Sequence, residues 1–203
     1  MTGSILRANL EHSVEVHGRI LSACLAAMTK AADCLISAYS AGRKAVFFGN
    51  GGSAADAQHL AAEFVGRYLR ERPPLPALAL NANSSAVTAI SNDYGYVEVF
   101  ARQLAALAVA GDVAVGISTS GNSPNVIEAL RVARKLGLST IGLTGASGGN
   151  MHEVVDVLIA APSKETPRIQ ECHILIGHAL CDAVEQAVTK GNIVKTVNRA
   201  GNR

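Results

Sequence analysis

Along the first forty residues, apolar side chains recur at helical spacing. Leu6, Leu10, Val14, Leu21, Leu25 and Met28 fall at intervals of three to four or their multiples, and Ala32, Leu35, Ile36 and Tyr39 continue the stripe. Two helices are predicted over about 4–41. After Gly42 the pattern changes. Short unbroken apolar runs at 44–49 (KAVFFG), 77–80, 113–117 (VAVGI), 139–143 (STIGL) and 156–160 (DVLIA) alternate with helical patterns at 53–68, 94–109, 124–136 and 168–188. Continuous rather than alternating apolar runs suit strands buried on both faces of a parallel sheet. Strand–helix repetition of this kind predicts an α/β fold with a doubly wound parallel sheet and helices on both sides. The chain reads as one domain over 1–190. From Lys190 to Arg203 there are four basic residues and no acidic one, and 191–203 is expected to be a solvated, flexible tail.

Composition adds two constraints. Apolar residues make up 49% and charged residues 17% of the 203, so some apolar surface is expected to be covered by other subunits, the N-terminal helices foremost. A formal charge of +2 argues against a dedicated nucleic-acid surface. The cysteines, Cys24, Cys34, Cys172 and Cys181, show no CxxC spacing; Cys172 and Cys181, nine apart on one predicted helix, point to opposite faces. Reduced thiols in a reducing compartment are expected. Charged residues near the start leave no apolar signal core, and no stretch is read as long enough to span a bilayer. A cytoplasmic protein without membrane or nucleic-acid partners is the expectation.

In a doubly wound sheet, ligands bind beyond the carboxyl ends of the strands. The first strand runs into Gly49-Asn50-Gly51-Gly52-Ser53 and then a helix. Glycines let the backbone turn close to a ligand, Ser53 reads as an N-cap with Asp56 completing a capping box, and the free amides of the helix start attract an anion. Gly49, Gly51 and Ala54 also spell G-x-G-x-x-A, a dinucleotide-type motif, but the second strand ends in Leu80-Asn81-Ala82-Asn83 without an acid for a ribose. A Walker A loop is excluded by the missing Gly-Lys-Ser/Thr, while a plain tight turn stays open. The third strand ends in Ser118-Thr119-Ser120-Gly121-Asn122-Ser123-Pro124. Four hydroxyls, a Ser123 cap and Pro124 at the first helical position suit a phosphate without any lysine or arginine. An ordinary Ser-rich turn is the alternative.

His59 and Glu63 lie four apart and share a helix face; Gln170 and His178 lie eight apart, about 80° from each other around the axis, so that both reach one cleft. A carboxylate facing an imidazole suits proton transfer α to a carbonyl. Together the four make a plausible metal site with two nitrogens and two oxygens. Each also has a plainer reading: a surface helical pair, a polar helix start, a satisfied core histidine. Arg67, Arg70 and Arg72, just before Pro73-Pro74, read as a solvated turn.

The order GNGGSAADAQH…E, NDYG, GISTSGNS and RIQECHILIGH, running from about residue 5 to 188, resembles the sugar isomerase (SIS) family and, within it, the phosphoheptose isomerases. The resemblance implies a five-stranded parallel sheet and a homotetramer with active sites at subunit interfaces. It implies an aldose–ketose isomerase taking sedoheptulose 7-phosphate to a heptose 7-phosphate, the first step toward nucleotide-linked heptose. Asn50, Gly51, Gly52, Ser53, Asn92, Asp93 and Gln170 would line this phosphorylated seven-carbon sugar, with Ser118, Thr119, Ser120 and Ser123 holding the phosphate. Glu63 would be the base and His178 the partnering acid. Zinc would be held by His59, Glu63, Gln170 and His178. Related folds include a non-catalytic protein that binds the replication initiator DnaA, and phosphosugar-sensing modules fused to DNA-binding domains. Retention of Glu63 and His178 and the lack of a basic helix-turn-helix favour the enzyme.

Overall fold

A computed structural model describes residues 1–192, so the expected tail lies outside the described residues from 193 onward. Two long helices, α1 (Thr2–Gly18) and α2 (Ile20–Ser40), open the chain. The strands follow as β1 (Ala45–Gly49), β2 (Ala77–Ala79), β3 (Val113–Ile117), β4 (Ser139–Thr144) and β5 (Val157–Ala160). All pair in parallel, in the order β2-β1-β3-β4-β5. Between them run α3 (Gly52–Val65), α4 (Ser84–Tyr94), α5 (Val99–Leu107) and α6 (Pro124–Lys135), and α7 (Thr166–Ala187) closes the fold before a π-turn at Val188–Asn192.

The sheet is covered on both faces, as unbroken apolar strands require. Ala45, Phe47, Val115 and Ile141 point into a core shared with α2, α3 and α7. Val46, Phe48 and Ala114 point the other way, into a core with α5 and α6. The period-2 alternation of Cβ directions sends neighbouring residues of one strand to opposite layers.

Several expectations are corrected. The helix anticipated at 94–109 is shorter, α5 over Val99–Leu107 after a 3-10 turn at Tyr96–Glu98, and the helix before it, α4, was not anticipated; Gly95 turns the chain between them with φ 87°. None of the residues of α4 is buried, so no apolar stripe announced it. The capping box is not formed. The helix starts one residue before Ser53, with Gly51 at the cap, and Asp56 Oδ2 is buried without a partner among the described residues, its carboxyl pushed up by burial. Ser123 does cap α6, though its side chain bonds Ser118 instead of a helix amide. The helix α2 is long and apolar enough to cross a membrane by length and composition, contrary to the reading of the sequence. In this fold Ile20, Cys24, Ala31, Leu35 and Tyr39 are part of the core, while Leu21 and Leu25 on the same helix are exposed. Cys172 and Cys181 are both buried although they face apart, because α7 is enclosed on opposite sides; burial pushes their thiols up to about 11 and about 12.

Candidate active site

The two loops meet at the carboxyl ends of β1 and β3. These strands are direct neighbours, with Gly49 in register with Ile117. Asn50 is fixed by a reciprocal amide pair: its Nδ2 donates to Asn125 Oδ1 and Asn125 Nδ2 donates to Asn50 Oδ1, both at 2.9 Å. The Tyr96 hydroxyl donates to the same Asn50 oxygen at 2.9 Å, and Asn81 Nδ2 donates to the Gly49 carbonyl at 2.8 Å. Asn125, Tyr96 and Asn81 thus hold the loop rigid. Local pattern marked none of them as functional; Asn125, the second residue of α6, is a buried amide beside apolar neighbours.

At the second loop, Ser118 Oγ lies 2.9 Å from Ser123 Oγ and 3.4 Å from Ser120 Oγ. The hydroxyls form one cluster at the start of α6. Beside it opens a cavity of about 410 Å³, lined by Thr119, Ser120, Asn122, Ser147, Lys164 and Thr166. A hydroxyl-rich pocket at a helix start with one lysine matches an anionic group. Lys164, on the loop before α7, was outside the predicted set. Gly52 and Gln170 meet at the other side. A Cβ on Gly52 would collide with the Gln170 amide, so the glycine is what lets this side chain lie against the first loop.

The third group sits further along α3 and α7. These helices can pack closely because Gly177 faces Leu60; a Cβ there would come within 2.5 Å of a leucine methyl. The approach sets His59 Nε2 2.9 Å from His178 Nε2, while Glu63 Oε1 lies 3.4 Å from His59 Nε2. All three ligand atoms lie within 4.8 Å of one another. His59 is about half exposed and Glu63 is mostly covered, with side-chain exposures of 47% and 20%. Two imidazole nitrogens bound tetrahedrally at about 2.0–2.1 Å from one ion stand roughly 3.3 Å apart, so this spacing suits a small divalent metal. His178 is therefore not a satisfied core residue. That description belongs to His173, which is buried, bonds the Thr144 carbonyl at 3.1 Å and has its acid–base range pushed down to about 4 by desolvation.

The structure does not bring all predicted residues to one place. Gln170 lies two turns of α7 before His178, with its amide against Gly52. Asn92 and Asp93 lie exposed at the end of α4, where Asn92 Nδ2 donates to Asp93 Oδ1 at 2.9 Å. Of the three arginines expected in a solvated turn, Arg67 and Arg70 are exposed and Arg72 is not. Arg72 has a side-chain exposure of 2% and pairs with Glu185 at 3.2 Å.

Comparisons with known proteins identify the family. A profile described as the SIS domain matches residues 10–145. A phosphoheptose isomerase from Rhodospirillum rubrum is 55% identical over 83% of this chain and 89% of its own length. One from Aneurinibacillus thermoaerophilus is 48% identical over 93% and 96%. The structure of phosphoheptose isomerase GmhA from Neisseria gonorrhoeae superposes with a TM-score of 0.85 at 42% identity, over 92% of this chain and 100% of that one. The chain belongs to the SIS-domain family and, within it, to the phosphoheptose isomerases.

Proposed function

We propose that this chain converts sedoheptulose 7-phosphate to D-glycero-D-manno-heptose 7-phosphate, with Glu63 and His178 moving the protons. The observation that carries the reading is the approach of Glu63, His59 and His178 to within 4.8 Å in a chain that also has a hydroxyl-lined anion loop. Ser118, Thr119, Ser120 and Ser123 would hold the phosphate, with Lys164 as counter-charge. Asn50, Gly51, Gly52, Ser53, Gln170, Asn92 and Asp93 would contact the sugar.

Glu63 takes a proton from C1 of the ketose, and the electron pair left behind forms the C1–C2 double bond of an enediol. His178 gives a proton to the carbonyl oxygen as that bond opens. Return of a proton to C2 and loss of the O1 proton then yield the aldose, with no net change in atoms or electrons. His59, Glu63 and His178 would hold a zinc ion, with Gln170 the fourth ligand that the resemblance implies. Bound zinc would polarise the sugar's carbonyl as a Lewis acid. Glu63 directs Oε1 toward His59, which leaves its second oxygen for the proton.

A homotetramer with the site at subunit interfaces is part of the proposal. Glu63 lies eleven residues past Gly52, about 16 Å along α3, so the anion loop and the proton-transfer pair stand at opposite ends of one helix. A neighbouring copy that brings its own end of α3 to this loop would unite them. Leu6, Leu10, Val14 and Leu21, each 60–73% exposed on α1 and α2, are the apolar surface such a neighbour would cover. The four free cysteines support a reducing cytoplasm. The domain would span 1–190, and its product would supply a heptose-bearing polymer such as lipopolysaccharide.

Purified protein incubated with sedoheptulose 7-phosphate, with and without a chelator, tests this by NMR. An aldose 7-phosphate should form and the chelator should slow it. No turnover by either the zinc-loaded or the stripped protein would count against the reading.

A further inference from the structure

Where α3 ends, the chain turns through residues 66–72 before reaching Pro73. Three successive amides in this turn have no strand or helix to bond. They converge on one carboxylate, that of Glu185 on α7: Tyr68 N donates to Oε1 at 3.0 Å, and Leu69 N and Arg70 N donate to Oε2, both at 2.8 Å. The Glu185 side chain is 1% exposed. Burying a charge is costly unless it is paired and hydrogen-bonded, and here both conditions hold. Arg72 supplies the pair, and its remaining donors reach the last turn of α3: Nη1 donates to the Phe64 carbonyl at 2.9 Å and Nη2 to the carbonyl of Glu63 itself at 2.8 Å. One buried ion pair thus ties the backbone of Glu63 and the backbone of Tyr68 to the helix that carries His178.

The consequence lies on His178. Glu185 follows it by seven residues, two turns on the same face of α7. The turn that Glu185 holds lays the Tyr68 ring on the imidazole of His178, with centroids 5.4 Å apart and planes at 29°. His59 approaches the same imidazole at 5.2 Å and 66°. An imidazole's outer torsion has broad wells, so its plane is set by packing more than by rotamer preference. We infer that Tyr68 is a positioning residue for His178, its ring held in place by the Glu185–Arg72 pair. The function goes beyond fold stability: stacking keeps His178 Nε2 directed at His59, the orientation that proton transfer or metal binding needs. The inference rests on the proposed role of His178, and the test separates the two.

Steady-state kinetics on sedoheptulose 7-phosphate should be compared for Tyr68→Leu, Tyr68→Phe and His178→Gln, with the melting temperature of each. Tyr68→Leu removes the ring and should lower kcat by at least about tenfold, with KM within about twofold and melting changed by no more than about 3 °C. Tyr68→Phe restores the stack and should recover most of the lost kcat. Full kcat in Tyr68→Leu, beside an inactive His178→Gln, would overturn the positioning role while leaving His178 in place. A Tyr68→Phe variant as impaired as Tyr68→Leu would overturn it too, because the hydroxyl and not the stacked ring would then matter. An active His178→Gln would sink the underlying assignment instead.

Discussion

Replacing Gly52 by alanine puts one methyl group where the Gln170 amide now lies. The obstacle is the far end of a flexible side chain and not backbone, so the amide should give way by more than about 1 Å while the main chain stays. Re-seating a glutamine in a less favourable torsion costs about 0.5–1.5 kcal/mol. Gly52 is the first residue of α3, where alanine recovers up to about 1 kcal/mol over glycine. These contributions nearly cancel, and a domain of this size shifts by about 2–4 °C per kcal/mol, so melting should move by only a few degrees. Function should respond far more. A catalytic or binding group displaced by about 1 Å loses up to about 100-fold in rate, and kcat/KM for sedoheptulose 7-phosphate should fall by tenfold to 100-fold. Scanning calorimetry and an NMR turnover assay on the same preparation measure both. Gly49→Ala is the contrast: its Cβ would lie 2.8 Å from the backbone oxygens of Ile117 and Ser53, which cannot swing aside, so this variant should lose stability outright. Wild-type kcat/KM in Gly52→Ala would refute the claim that Gln170 must lie against this loop.

Three further outcomes follow from buried charges and exposed apolar surface. Arg72→Met leaves the buried Glu185 carboxylate with only the three amides and Arg70 at 3.7 Å and should cost about 3 kcal/mol in chemical denaturation. His173 is held near 4 in the fold against about 6.5 unfolded, so the unfolded chain binds the extra proton first as pH falls; stability should decline between about pH 6.5 and 4, and His173→Asn should remove that part of the slope in a melting series. A Leu10→Glu, Val14→Glu double variant places two charges on the exposed face of α1 and should shift the protein to a smaller species by light scattering, with turnover falling alongside.

The sheet was legible in the sequence because its strands are buried on both faces, which leaves runs such as VAVGI unbroken by polar residues. The helix α4 was not, since none of its mixed residues is fully buried and only Val87 packs in part against the core. Both loops could be read from their glycines and hydroxyls. What they touch could not: Asn125 lies 75 residues from Asn50, and the meeting of Gly52 with Gln170 depends on how α7 crosses α3. The Arg72 misreading has the same origin. An arginine beside prolines looks solvated until Glu185, 113 residues later, is folded against it. The histidines show how little side-chain type says by itself. His173 and His178 share one helix, yet one packs against β4 and the other against His59. The resemblance singled out His178, for which periodicity alone favoured a core role.

The central claim is that Glu63 carries the proton between C1 and C2. Wild-type protein and Glu63→Gln, incubated with sedoheptulose 7-phosphate in deuterated water, test it most directly by NMR, with phosphosugar affinity measured alongside. The account predicts aldose formation with solvent deuterium entering C1 or C2 for the wild type. For Glu63→Gln it predicts retained binding and both signals reduced by about 100-fold or more. Exchange and turnover near the wild-type rate in Glu63→Gln would contradict it.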